Sequence, residues 1–208
     1  MLIQSHAALG WTVGVLCPGS DRRLRGWSVA ASALPDLDAA TYLFGVTAYK
    51  DWHHVLGHNV LLGVLIGLAA GRHARGWKTG LLAGLCFGAH LLCDMKLSDW
   101  GVALAWPFSR HIYELHPHYG IGASINLWLV ALAHVVVVPL AMLRGVTPFD
   151  LLSPRLDRFV MNLFRRRTSD CATCARRCNN ACDACGRPVC LGHGRLGRGF
   201  RLRCPACA

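Results

Sequence analysis

Apolar residues dominate four stretches that carry no Asp, Glu, Lys or Arg: Met1–Ser20, Trp52–Gly71, Thr79–Cys93 and Leu115–Leu143. A membrane-crossing helix needs about 20 mainly apolar residues, with about 17 to 25 tolerated. By that measure the second and fourth stretches qualify, the first and third are borderline, and Trp27–Leu34 adds a short fifth segment packed inside a bundle. The pattern predicts an all-α membrane helical bundle of about five apolar helices. Gly63, Gly67 and Gly71 recur four apart, a spacing that lets helices approach closely. Beyond the last stretch, Leu156, Phe159, Val160 and Leu163 share one face of a helix whose other positions hold arginines, a pattern suited to an anionic leaflet.

Composition divides the chain. Over the whole sequence 53% of residues are hydrophobic and 16% charged, greasier than a soluble domain. The net charge of +11 is concentrated after residue 150, where twelve arginines face three aspartates. Eight of the eleven cysteines fall there as well. The expected organisation is a membrane-embedded domain over 1–150, a basic interfacial helix over 151–168 and a cysteine-rich module over 169–208. The amino terminus lacks a basic n-region and a cleavage motif, so it is taken as part of the mature fold.

Basic clusters at Arg22, Arg23 and Arg25, at Arg72, Arg75 and Lys78, and at Arg144 orient the segments if they mark the cytoplasmic side. The topology that follows is multi-pass in the inner membrane, with a cytoplasmic tail. It also brings His6, Asp36 with Asp38, the cluster His53, His54 and His58, and His90 with Asp94 to the same outer end.

Those residues are the candidate chemistry. His90 and Asp94 lie four apart, hence on one helical face, and imidazole with carboxylate is a divalent-metal donor set. Asp36 and Asp38 could share a cation in an extended turn, or Asp38 could cap a helix beginning at Ala39. In the cluster, helical spacing alone selects His54 and His58. His111, His116 and His118 read as exposed loop histidines, and His134 as a structural group in the last helix.

The order of these motifs resembles a known family. An early His, Pro35-Asp36-Leu37-Asp38, the His53–Asn59 segment, His90-x-x-x-Asp94, Gly101-Val102 and Trp106-Pro107-Phe108 are similar to the inner-membrane-associated, metal-dependent hydrolases typified by YdjM. The likeness covers roughly residues 5–110. It implies His6, Asp36, Asp38, His53, His58, His90 and Asp94 as metal ligands, with Asp36 or Asp38 as general base. His54, Gly57 and Asn59 stand where the family has Arg, Thr and Ser. The implied activity is metal-dependent hydrolysis of an ester or phosphoester, with lipid-linked esters among the candidates and zinc the leading ion. The competing reading is a non-enzymatic membrane adaptor whose tail recruits a partner.

In the tail, Cys171/Cys174, Cys182/Cys185, Cys190/His193 and Cys204/Cys207 are four pairs with two intervening residues each, the short chelating loop of structural zinc. Eight ligands in that order resemble the cross-brace of RING and FYVE fingers, in which alternate pairs share an ion. A single ribbon using Cys182, Cys185, Cys204 and Cys207 is simpler, and Cys178 is spare. The arginines point to anionic lipid or an acidic protein partner. Phe200 is the lone aromatic of the finger, which argues against nucleic acid.

Overall fold

The computed structural model describes residues 3–74, 76–97, 100–115, 122–164, 169–174 and 177–208, and the side chains of residues 97, 122–130, 133, 177 and 199 lie outside that description. His116, His118 and arginines 165–167 are likewise outside it. The chain forms two compact units, Met1–Val137 and Val138–Ala208.

The first unit is helical. Its helices are α1 (Ile3–Leu16), α2 (Arg22–Ala33), α3 (Val46–Trp52), α4 (Val60–His73), α5 (Trp77–Leu97) and most of α6 (Gly122–Arg144). A ten-residue 3-10 segment, Pro35–Phe44, joins α2 to α3. Local signals set the boundaries: Asp21 caps α2 by accepting from the Leu24 N–H at 2.7 Å, and Asn59 caps α4 by accepting from the Leu62 N–H at 2.9 Å. Helix α2 packs on α1 and α5, and α4 packs on α5. Ile66, Ala83, Phe87 and Leu91 belong to the core between them. The α4 glycines are at that contact: a Cβ on Gly67 would lie 3.1 Å from the Gly80 carbonyl, and one on Gly63 would lie 2.7 Å from the Phe87 ring.

The expected membrane-spanning bundle is overturned. Among the described residues no helix is long and apolar enough to cross a membrane. For α1, α2 and α4 the reason is length. The Met1–Ser20 run yields 14 helical residues, and the Trp52–Gly71 run gives up residues 53–59 to a non-helical turn, leaving the 14 of α4. At about 1.5 Å per residue these rise about 21 Å, against a hydrocarbon core of about 30 Å. Helix α5 has 21 residues but carries Thr79, His90, Asp94 and Lys96 within them. The multi-pass topology built on those spans has no support among the described residues.

The second unit holds the end of α6, a 3-10 turn at Pro148–Leu151, α7 (Pro154–Phe164) and the cysteine-rich module. Helix α7 buries Asp157 and Met161. Asp157 Oδ1 accepts from the Thr147 N–H at 2.6 Å and from the Thr147 hydroxyl at 2.7 Å. The module contains two antiparallel pairs, β1 (Ser169–Asp170) with β2 (Arg177–Cys178) and β3 (Arg195–Gly197) with β4 (Arg201–Arg203). Helix α7 joins it through Asn162, whose amide donates to Asn180 Oδ1 at 3.2 Å and whose carbonyl accepts from Asn179 at 3.3 Å.

Candidate metal centre

Helix α5 supplies two wholly buried donors one turn apart, with His90 Nε2 2.9 Å from Asp94 Oδ2. The other ring nitrogen, His90 Nδ1, meets the Ser32 carbonyl at 2.7 Å. A carbonyl only accepts, so the proton sits on Nδ1 and the Nε2 lone pair is directed inward. Packing of α2 on α5 thus sets the tautomer of His90.

The 3-10 segment contributes Asp36 and Asp38 with different tasks. Asp38 is saturated: Oδ1 accepts from His53 Nδ1 at 2.6 Å, and Oδ2 from His58 Nδ1 at 2.9 Å, the Gly57 N–H at 3.0 Å and the His54 N–H at 3.1 Å. Burial opposes the charge on Asp38, but its bonds to His53 and His58 outweigh that and hold its carboxyl well below the usual range. Gly57 lies so close to Pro35 that a Cβ there would overlap the Pro35 carbonyl oxygen. The turn and the 3-10 segment are therefore in backbone contact.

His54 has a φ of 65°, in the left-handed region that a non-glycine residue seldom occupies. Its backbone is held from both sides, by the N–H to Asp38 Oδ2 and by its carbonyl, which accepts from the Ala103 N–H at 3.0 Å. The side chain is turned inward as a result. His54 Nδ1 lies 3.3 Å from the Trp100 carbonyl, and Nε2 lies 4.0 Å from Asp94 Oδ2.

Three histidines thus share one arrangement. His54, His58 and His90 each engage an acceptor through Nδ1, namely the Trp100 carbonyl, Asp38 and the Ser32 carbonyl, and each directs Nε2 at Asp94. His58 Nε2 and His90 Nε2 are only 3.1 Å apart. His6, from α1, stacks on His90 with ring centroids 3.7 Å apart and puts Nε2 3.3 Å from Asp94 Oδ1. Asp36 Oδ1 is 3.8 Å from both His58 Nε2 and His90 Nε2.

These atoms form two donor groups, His6, Asp36, His90 and Asp94, and His54, His58 and Asp94, within each of which the donor atoms lie within 4.8 Å of one another. Asp94 belongs to both. Asp36 Oδ2 and His6 Nδ1 are buried without a hydrogen-bond partner among the described residues. Buried polar atoms are rarely left so, and a cation between them would satisfy them. Electrostatics agree. Burial pulls the His58 imidazole down, yet Asp36, Asp38 and Asp94 raise it to about 10, so these carboxylates hold a positive charge in place. Burial, then the neighbouring His58, lowers His54 to about 4. Burial also lowers His6. The site gathers buried carboxylates and imidazoles around a proton held on His58, which a divalent ion can replace.

Of the ligands expected from sequence, His6, Asp36, His58, His90 and Asp94 meet here. Asp38 and His53 lie outside both donor groups, bonded to each other. His54 lies inside. Helical spacing had singled out His54, although neither it nor His58 is on a helix: residues 53–59 are turns and bends. The carbonyls of Ser32 and Trp100 had no sequence signal, because any residue could supply them. His111 and His134 are exposed.

In the second unit Cys171, Cys174, Cys190 and His193 form one cluster, and Cys182, Cys185, Cys204 and Cys207 another. Cys178 belongs to neither.

The YdjM inner membrane protein family matches residues 1–160. No curated protein and no solved structure matches the chain.

Proposed function

The chain belongs to the YdjM inner membrane protein family, and from that footing we propose that its first unit is a metal-dependent hydrolase of esters or phosphoesters. The observation that carries this reading is the shared setting of His54, His58 and His90, each with Nδ1 engaged and Nε2 directed at Asp94. Orientation of that kind is what metal-binding histidines require.

The donors divide into a group of four and a group of three around Asp94. Four protein donors suit a closed site, whereas three leave a position for water or substrate. When bound there, divalent ions supply Lewis-acid polarisation and lower the pKa of water. The residues do the rest. Asp38 positions the turn by holding His53, His58 and two backbone N–H groups, and with both oxygens occupied it is assigned no proton transfer. Asp36, whose Oδ2 has no partner among the described residues, is assigned as proton acceptor for a water brought to the open side.

The substrate class follows from the surface of α4 and α5. Val64, Leu68, Leu81 and Leu85 are all more than half exposed. They line an apolar groove of about 920 Å³ between the two helices. Such a surface suits contact with lipid, consistent with an inner membrane protein family, and favours lipid-linked esters.

The test is hydrolysis by the full chain of bis-para-nitrophenyl phosphate and of a short-chain phospholipid in micelles, before and after chelation. Expected is activity that disappears with the metal and returns on adding zinc, and that Asp94→Asn abolishes together with metal binding. A metal-loaded chain inert towards carboxyl esters, phosphomonoesters and phosphodiesters would overturn the hydrolase reading.

A further inference from the structure

The carboxyl-terminal module lies outside the 1–160 family match and does not depend on the hydrolase reading. We infer that it is a two-zinc, cross-braced fold in which Cys171, Cys174, Cys190 and His193 hold one ion and Cys182, Cys185, Cys204 and Cys207 the other.

Sulfur spacing is the first argument. Cys174 Sγ lies 3.7 Å from Cys190 Sγ, and Cys185 Sγ lies 3.7 Å from Cys204 Sγ. That is far beyond a disulfide's bond length of about 2.05 Å. It matches the edge of a tetrahedron with metal–sulfur bonds of about 2.3 Å, which is about 3.8 Å. Cys190 Sγ to His193 Nδ1 is 3.3 Å, close to the somewhat shorter edge for one sulfur and one nitrogen.

Backbone geometry is the second. The chelating loops are closed by tight turns: the His193 N–H donates to the Cys190 carbonyl at 3.0 Å and the Cys207 N–H to the Cys204 carbonyl at 2.9 Å. In the Cys182 loop the Gly186 N–H donates to the Cys182 carbonyl at 2.8 Å. Gly186 has a φ of 73°, which costs a glycine nothing. Each turn brings its two ligand side chains to one side.

Charge is the third. The Arg187 guanidinium donates to Cys185 Sγ at 3.4 Å and approaches Cys204 Sγ at 3.9 Å, so a cation accompanies the four-thiolate cluster. Backbone N–H groups of Cys190 and Thr173 face the Cys171 sulfur. The backbone N–H of Cys204 faces the Cys182 sulfur. Thiolates are the ligand form.

Core content is the fourth. One buried cluster of the module is Cys182, Val189, Leu202 and Cys204, and the other is Cys171, Cys178 and Cys190. Val189 and Leu202 are too little apolar burial to order such a segment, so the metal is the staple. Cys178 is buried beside Cys171 and Cys190 but belongs to neither donor group.

Pairing distinguishes this architecture from two consecutive fingers. In the cross-brace Cys171 and Cys190 serve the same ion, whereas consecutive fingers would pair Cys171 with Cys182. The experiment compares zinc per full-length chain with zinc in two double variants, so that the His/Asp centre cancels. C171S/C190S is expected to lose one zinc and C171S/C182S two. The opposite pattern overturns the cross-brace in favour of consecutive fingers, and no loss in either overturns metal binding by the module. Because a double variant can fail to fold, the unaltered chain is also loaded with cobalt. The His/Asp centre contains no sulfur, so thiolate-to-cobalt charge transfer reports the module alone. An intensity equivalent to three thiolates on one ion and four on the other is expected. An intact chain without that band also overturns the proposal.

Discussion

His58 Nδ1 and Asp38 Oδ2 face each other at 2.9 Å, and this bond determines that His58 meets the centre through Nε2. Asp38 is thereby part of the centre without belonging to either donor group. Asp38→Asn keeps the shape but replaces one acceptor oxygen with a donor amide, which cannot serve His53 and His58 together. Metal affinity is expected to fall about 10- to 100-fold while the chain stays folded. Competition with a fluorescent chelator, alongside circular dichroism, measures both. Unchanged affinity would remove Asp38 from its positioning role.

Loading the centre should expel a proton. Without metal the three carboxylates keep His58 protonated up to about 10, and a metal requires its neutral ring. The raised value means the proton is present at neutral pH and lost only above it. Apparent affinity therefore rises with pH, by about tenfold per unit below about 10. Titration of metal into weakly buffered protein at pH 7, with the cysteine-rich module already loaded with zinc, should release one proton from the centre, and none would contradict the assignment of His58.

The neighbouring histidines should separate cleanly. His54 lies in a donor group and His53 does not, so His54→Ala is expected to lower bound metal by about one ion per chain, whereas His53→Ala retains it. Elemental analysis after dialysis decides, and the reverse result would restore the family-based register of His53 and His58.

In the second unit, Asp157→Ala strands the buried N–H and hydroxyl of Thr147, both of which donate to Asp157. Leaving buried donors unsatisfied costs about 1–3 kcal/mol each. Thermal melting of the full chain should shift down accordingly, with no change in metal content. A melting temperature equal to the parent's would show that the bond contributes nothing net.

Much of the site was visible in the sequence because its donors are rare residue types in greasy surroundings. His90 and Asp94 announce themselves by helical spacing, and the cysteine pairs by their regular intervals. What sequence patterning could not convey was how much of each apolar run becomes helix. The run from Trp52 to Gly71 reads as continuous on hydropathy, yet its first third folds as the turn that carries His54 and His58. The left-handed backbone at His54 is equally hidden, since it arises from tertiary bonds to Asp38 and Ala103 and from no local preference. Asn59, at a position where the resemblance leads to Ser, caps α4, a task that both residue types perform.

His6 and Asp94, 3.3 Å apart in the structure, come from opposite ends of the segment that builds the centre. Bringing them together closes a loop over nearly all of α1 to α5, and the entropy of that closure must be overcome before the group of His6, Asp36, His90 and Asp94 is complete. A fragment without α1 lacks the four-donor group but keeps every residue of the group of His54, His58 and Asp94. Completion of the four-donor group thus reports that α1 has reached its native place beside the elements that carry Asp36, His90 and Asp94.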